Sequence, residues 1–79
     1  PVSVGKIASA LGIEVLSSSL QSDISGQIRK RPSDGVYEIK VNIADPAVRQ
    51  RFTVAHEISH YLLHRNDIDG DGITDTVLY

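Results

Sequence analysis

His56, Glu57 and His60 stand in the pattern HExxH across residues 56–60. On a helix, imidazoles four residues apart project from one face about one turn, roughly 6 Å, from each other. Two rings so placed can reach one zinc ion at about 2.1 Å. A carboxylate in the intervening turn can take a proton from water activated by that ion and hand it to a leaving amine. The chemistry these residue types support is therefore peptide-bond hydrolysis, with His56 and His60 on Zn2+ and Glu57 as general base. The bland alternative is a pair of histidines satisfied by backbone or carboxylate partners beside a solvated glutamate. His64 falls near the same face, but it lies about 12 Å from His56 along a straight helix, too far to share an ion. It is expected to cap the helix C-terminus, where positive charge is favoured. Arg49 points close to the direction of His60 and could hold a substrate carboxylate or carbonyl, although solvated helix arginines such as Arg51 are the commoner case.

These groups need a helix to carry them and a surface to lay it on. Residues 46–64 supply the helix: Asp45 is expected to cap it and Pro46 to occupy its first position. Val48, Phe52, Ala55, Ser59 and Leu62 share one stripe, and Val54, Ile58 and Tyr61 cover another flank, which predicts burial on two sides. Residues 3–12 read as a short helix between a capping Ser3 and a left-handed exit at Gly12. Residues 13–16 read as a strand, and the serines 17–19 as a loop or a poorly held edge. Residues 26–31 and 36–43 flank the turn cluster Pro32-Ser33-Asp34-Gly35 and predict a hairpin. In the second strand Tyr37, Ile39, Val41 and Ile43 alternate with Glu38, Lys40 and Asn42, predicting one apolar and one wet face. That strand is expected to offer an edge on which an extended peptide could add. The fold class is α+β: a short N-terminal helix, a small antiparallel sheet with a hairpin, and a long HExxH helix on the sheet, in a zincin-like arrangement.

Composition excludes several alternatives. Eight Lys and Arg against ten Asp and Glu give a formal charge of −2, which provides no basic surface for nucleic acid or an anionic membrane. The chain has no cysteine, which removes disulfides, thiolate zinc fingers and thiol nucleophiles and fits a reducing cytoplasm. No apolar run approaches the roughly 18 residues that span a bilayer. Asp67, Asp69, Asp71 and Asp75 imitate positions 1, 3, 5 and 9 of a calcium loop, but position 12 is Leu78. A solvated turn is expected there, with calcium binding or an aspartate completing the zinc shell as alternatives. The four aromatic side chains fill one small core, so residues 1–79 are expected to form a single domain. The start at Pro1 and the apolar finish at Val77-Leu78-Tyr79 suggest an incomplete core.

Residues 41–64, VNIADPAVRQRFTVAHEISHYLLH, resemble the ImmA/IrrE metallopeptidases: an Asn near a strand end, an Arg-Arg-Phe segment entering the helix, HExxH, then Leu-Leu-His. The resemblance implies a cytoplasmic zinc-dependent protease that acts on a helix-turn-helix repressor, with His56 and His60 as zinc ligands and Glu57 as general base. It also implies a third ligand, a Glu on a later helix. No Glu follows Glu57 in this chain, so weak zinc uptake and negligible turnover are expected of these residues alone. The competing class is a non-enzymatic module that binds a repressor or antitoxin through the same helix and sheet.

Overall fold

The computed structural model describes residues 3–76. Its first helix, α1 (Val4–Ala10), is capped by Ser3, whose side chain accepts from the Lys6 amide at 3.4 Å. The exit is a Schellman turn: the Gly12 amide donates to Ser9 O (3.0 Å) and the Ile13 amide to Ala8 O (2.9 Å). Four strands follow: β1 (Glu14–Ser18), β2 (Ile24–Lys30), β3 (Tyr37–Asn42) and β4 (Ile73–Thr76). They form one sheet in the order β1-β3-β2-β4. The expected hairpin joins β2 and β3, and the α+β class holds. The sheet is mixed rather than wholly antiparallel, because β1 joins β3 in parallel.

That parallel ladder changes two expectations. Ser17 and Ser18 are strand residues paired with Val41 and Asn42, since a central strand with open hydrogen-bonding groups outweighs the weak strand preference of serine. For the same reason β3 lies between β1 and β2 and presents no free edge to a peptide.

The helix-facing side of the sheet carries Ile28, Ile39 and Val41, which close a core with Ala8, Ile13, Val54, Ile58 and Ile68. The opposite side was expected to be wet, yet Glu38 and Asn42 are only 4% and 2% exposed. Glu38 is roofed by arginines: Arg29 Nε donates to its Oε1 at 3.0 Å and Arg31 Nη1 to its Oε2 at 3.2 Å. The Asn42 side chain donates to the carbonyls of Gln21 (3.1 Å) and Ile24 (2.9 Å) and accepts from the Ala44 amide (3.0 Å), tying the loop before β2 to the end of β3.

Burial alone would raise the Glu38 pKa, but Arg29, Arg31 and Lys40 hold it below its ordinary value of 4.5. A depressed carboxyl contributes stability above its ordinary value and loses it as pH falls through the depressed one. Denaturant unfolding across pH 2–7 is expected to favour wild type over E38Q by about 1–3 kcal/mol at neutral pH, with the advantage vanishing in acid. Parallel curves would contradict this account of the arginine roof.

The long helix α2 (Ala47–Leu63) begins one residue later than expected. Pro46 takes the cap position with extended backbone, and no side chain caps the start. Asp45 instead keeps Oδ2 buried without a hydrogen-bond partner, while its carbonyl accepts from Gln50 Nε2 at 2.8 Å. Only one flank of α2 is covered. Thr53, Val54, Glu57 and Ile58 are buried, whereas Val48 is 70% exposed and Phe52 and Leu62 also face outward. One sheet can cover one helix face, and the second apolar stripe has no layer against it among the described residues.

A short helix, α3 (Arg65–Asp69), leads into β4 and is pinned by the fully buried Ile68. Tyr37 Oη donates to Asp69 at 2.5 Å, and the Tyr37 ring meets Tyr61 edge-on at 4.9 Å. No helix among the described residues is long and apolar enough to cross a membrane.

Candidate metal centre

Helical spacing does for His56 and His60 what the pattern predicts. The rings lie on one face with centroids 4.8 Å apart and planes at 83°. Both turn Nε2 toward one carboxylate, that of Asp75 on β4. His56 Nε2 is 3.5 Å from Asp75 Oδ1, and His60 Nε2 is 3.2 Å from Oδ2 and 3.3 Å from Oδ1. One donor atom from each of the three residues lies within 4.8 Å of the other two.

Glu57 points into the protein rather than round to solvent, and it is fully buried. It lies over β2 at Gly26, where a Cβ would come within 2.4 Å of Thr53 Cγ2 and 3.0 Å of Glu57 Oε2. A side chain on that strand position would occupy the space the carboxylate uses. In the ladders Gly26 stands between Val41 and Asp75, so the bare backbone passes directly under the HExxH turn.

β4 reaches this place through Gly72, at φ +80°, where a Cβ would meet Ile28 O at 2.8 Å. Only glycine lets the chain approach β2 so closely there. Ile73 pairs with Ile28, and period-2 alternation then puts Asp75 on the helix side with it.

The site is electrostatically incomplete as a set of protein groups. Glu57 Oε1 and Oε2, His60 Nδ1 and Asp75 Oδ2 are all buried with no hydrogen-bond partner. Buried polar groups are normally satisfied, so the Glu57 and Asp75 oxygens among these atoms mark a place where a further group belongs. Burial first, and then the neighbouring Asp75 carboxyl, push the Glu57 pKa up to about 9. A divalent cation fits this arrangement. Ligand atoms about 2.1 Å from a tetrahedral ion stand roughly 3.4 Å apart, and the histidine-to-Asp75 distances bracket that spacing.

The remaining candidates lie elsewhere. His64 closes α2, its amide donating to His60 O at 2.7 Å, and it is exposed outside the donor cluster. Arg49 donates to Ser25 Oγ at 3.4 Å and lies over Phe52, 5.5 Å from the ring centre. Arg51 is exposed. The calcium-like run does not form a loop: Asp67 and Asp69 sit in α3, Asp69 accepts from Tyr37, and Asp75 belongs to β4. Position 12 of that run, Leu78, lies outside the described residues. Asp75 is the site residue that its place in the run obscures. The signal that could single it out is the β-forming Ile-Thr-Asp-Thr after a glycine.

The family model Peptidase_M78, described as the IrrE N-terminal-like domain, matches residues 8–77. No curated protein and no solved structure matches the chain.

Proposed function

The chain belongs to the Peptidase_M78 family, the IrrE N-terminal-like domains, and from that premise we propose that it is the core of a zinc-dependent endopeptidase acting on a helix-turn-helix repressor in the cytoplasm. The family match supports a metallopeptidase-like function, and the resemblance of residues 41–64 supports the protein substrate. The absence of cysteine supports the compartment. The observation that carries the reading is the pair of Nε2 atoms from His56 and His60 converging beside a fully buried Glu57.

His56 and His60 are the residues that would hold the ion. When bound, the zinc supplies Lewis-acid polarisation of the scissile carbonyl and brings the pKa of water toward 7. Glu57 accepts the proton at a carboxylate oxygen and returns it to the leaving amine. A cation bound there would favour the ionised form of the Glu57 carboxyl, the form that accepts a proton. The wall formed by Thr53 and the β2 backbone keeps that carboxylate out of bulk water.

Metal removal tests the reading. A helix-turn-helix repressor incubated with the zinc-loaded full-length protein is expected to be cut at discrete peptide bonds, read by mass spectrometry. Cleavage should stop after dialysis against chelator and return with one equivalent of zinc. An intact repressor with zinc-replete protein, alongside undiminished binding, would favour the interaction module.

A further inference from the structure

We infer that the outward face of α2 beside the histidines reads the substrate peptide. Phe52 is its specificity-determining contact, taking an apolar side chain close to the scissile bond, and the arginines on either side favour acidic residues around that side chain. The inference rests on the endopeptidase reading and deepens it.

Phe52 stands one turn before His56, and the two ring centroids are 6.3 Å apart with planes tilted by 32°. An extended peptide advances about 3.3 Å per residue, so a chain that passes the histidines lays a side chain on Phe52 within about two residues of the bond to be cut. Phe52 is 52% exposed, an unusual position for a large aromatic ring in a chain with so few of them.

The ring also belongs to a continuous surface. At about 100° per residue, Val48, Phe52, Ser59, Leu62 and Leu63 share an arc of about 100° on the outside of α2, and His56 borders that arc. Val48, Leu62 and Leu63 are more exposed than Phe52. From Val48 to Leu63 the helix axis runs about 22 Å, room for six or seven extended residues at about 3.3 Å each. A single exposed leucine is ordinary, whereas an apolar stripe that runs alongside a candidate reaction centre marks a binding surface.

Charge says what kind of peptide fits. The single acid of α2 is Glu57, which is fully buried and turned toward β2, so the outside of the helix carries cations only. Arg49 and Arg51 bracket the stripe on the helical wheel, and Arg51 is exposed. The Arg49 guanidinium lies 5.5 Å from the centre of the Phe52 ring and its Nη2 donates to Ser25 Oγ at 3.4 Å, which holds ring and cation side by side. An apolar strip between two cations is the complement of a segment in which a Leu or Phe is flanked by Asp or Glu, and it disfavours one flanked by Lys.

Peptides that differ only in one central residue (Leu, Phe or Gly) and in its flanks (Asp or Lys) test this against the zinc-loaded full-length protein. Wild type is expected to cleave the Leu and Phe peptides with kcat/KM about 10–100-fold above the Gly peptide, and to prefer Asp flanks. F52A should bring the Leu-to-Gly ratio close to 1, mainly through KM, while the conservative F52L keeps most of it and R51E shifts the flank preference toward Lys. Thermal unfolding checks that the variants are folded. Fluorescence anisotropy of the same labelled peptides with full-length E57Q, and with E57Q carrying F52A, reads recognition apart from hydrolysis. Cleavage with the same Leu-to-Gly ratio in wild type and F52A, and the same flank preference in R51E, would overturn the inference and leave the peptidase reading intact. Binding that F52A abolishes, without cleavage by wild type, supports Phe52 as the peptide contact and rejects the peptidase. Neither cleavage nor binding would overturn both.

Discussion

Replacing Glu57 with Gln is expected to reduce peptide hydrolysis by about 10²–10⁴-fold while leaving the metal content unchanged. The same change should stabilise the metal-free chain in alkali. The two effects have one origin. Glu57 is fully buried, and that burial first, then the hydrogen bond and charge of the neighbouring Asp75 carboxyl, push its pKa up to about 9. For a carboxyl raised above its ordinary value of 4.5, the stability contribution is fully present below that value and disappears as pH climbs through the folded one. The metal-free wild type should thus weaken steadily between about pH 4.5 and 9, whereas E57Q has nothing to ionise there. Above pH 9 the gap should reach on the order of a few kcal/mol, the cost of an uncompensated buried charge. Thermal unfolding in chelator across pH 4–10 reads the stability arm, and repressor cleavage reads the other. A variant that still cleaves, or two stability profiles that run parallel, would remove Glu57 from the proton-transfer role.

The second large effect is expected at Gly26, which makes no chemistry of its own. Gly26→Ala puts a methyl 2.4 Å from Thr53 Cγ2 and 3.0 Å from Glu57 Oε2. Thr53 and Glu57 are both fully buried, so the strain cannot be relieved by swinging a side chain into solvent. The helix must lift from β2 or the carboxylate must shift. Overpacking of this kind costs about 1–3 kcal/mol. A displacement of the base by about 1 Å can lower turnover about 10²-fold even where fold and metal survive. Denaturant unfolding and the turnover rate of metal-loaded G26A measure the two terms separately. A near-neutral result in both would mean that the approach of helix to strand is softer than the contact distances imply.

Much of this was readable from residue order, for reasons that can be named. The HExxH pair depends only on helical periodicity, which is local, and the hairpin depends on the turn chemistry of residues 32–35. The Ser3 cap and the Gly12 exit are likewise decided within a few residues. What escaped was non-local. Serines 17 and 18 became strand because β3 recruited them, and β3 lost its edge in the same event. Glu38 looked like a solvent residue because the arginines that cover it are contributed by β2 and the turn. Two apolar stripes on α2 suggested burial on two sides, but whether a stripe is covered depends on how many layers exist, which no helical wheel encodes. Asp75 was hidden twice over: acidic neighbours made it look like part of a loop, and its true neighbours lie 15 and 19 positions back along the chain.

The outermost place of β4 carries one more consequence. Among the described residues β4 is held by one ladder, and a strand so held opens more readily than the centre of a sheet, each opening withdrawing Asp75 from the histidines. The surroundings of both ring nitrogens then follow the fraction of time the strand is docked.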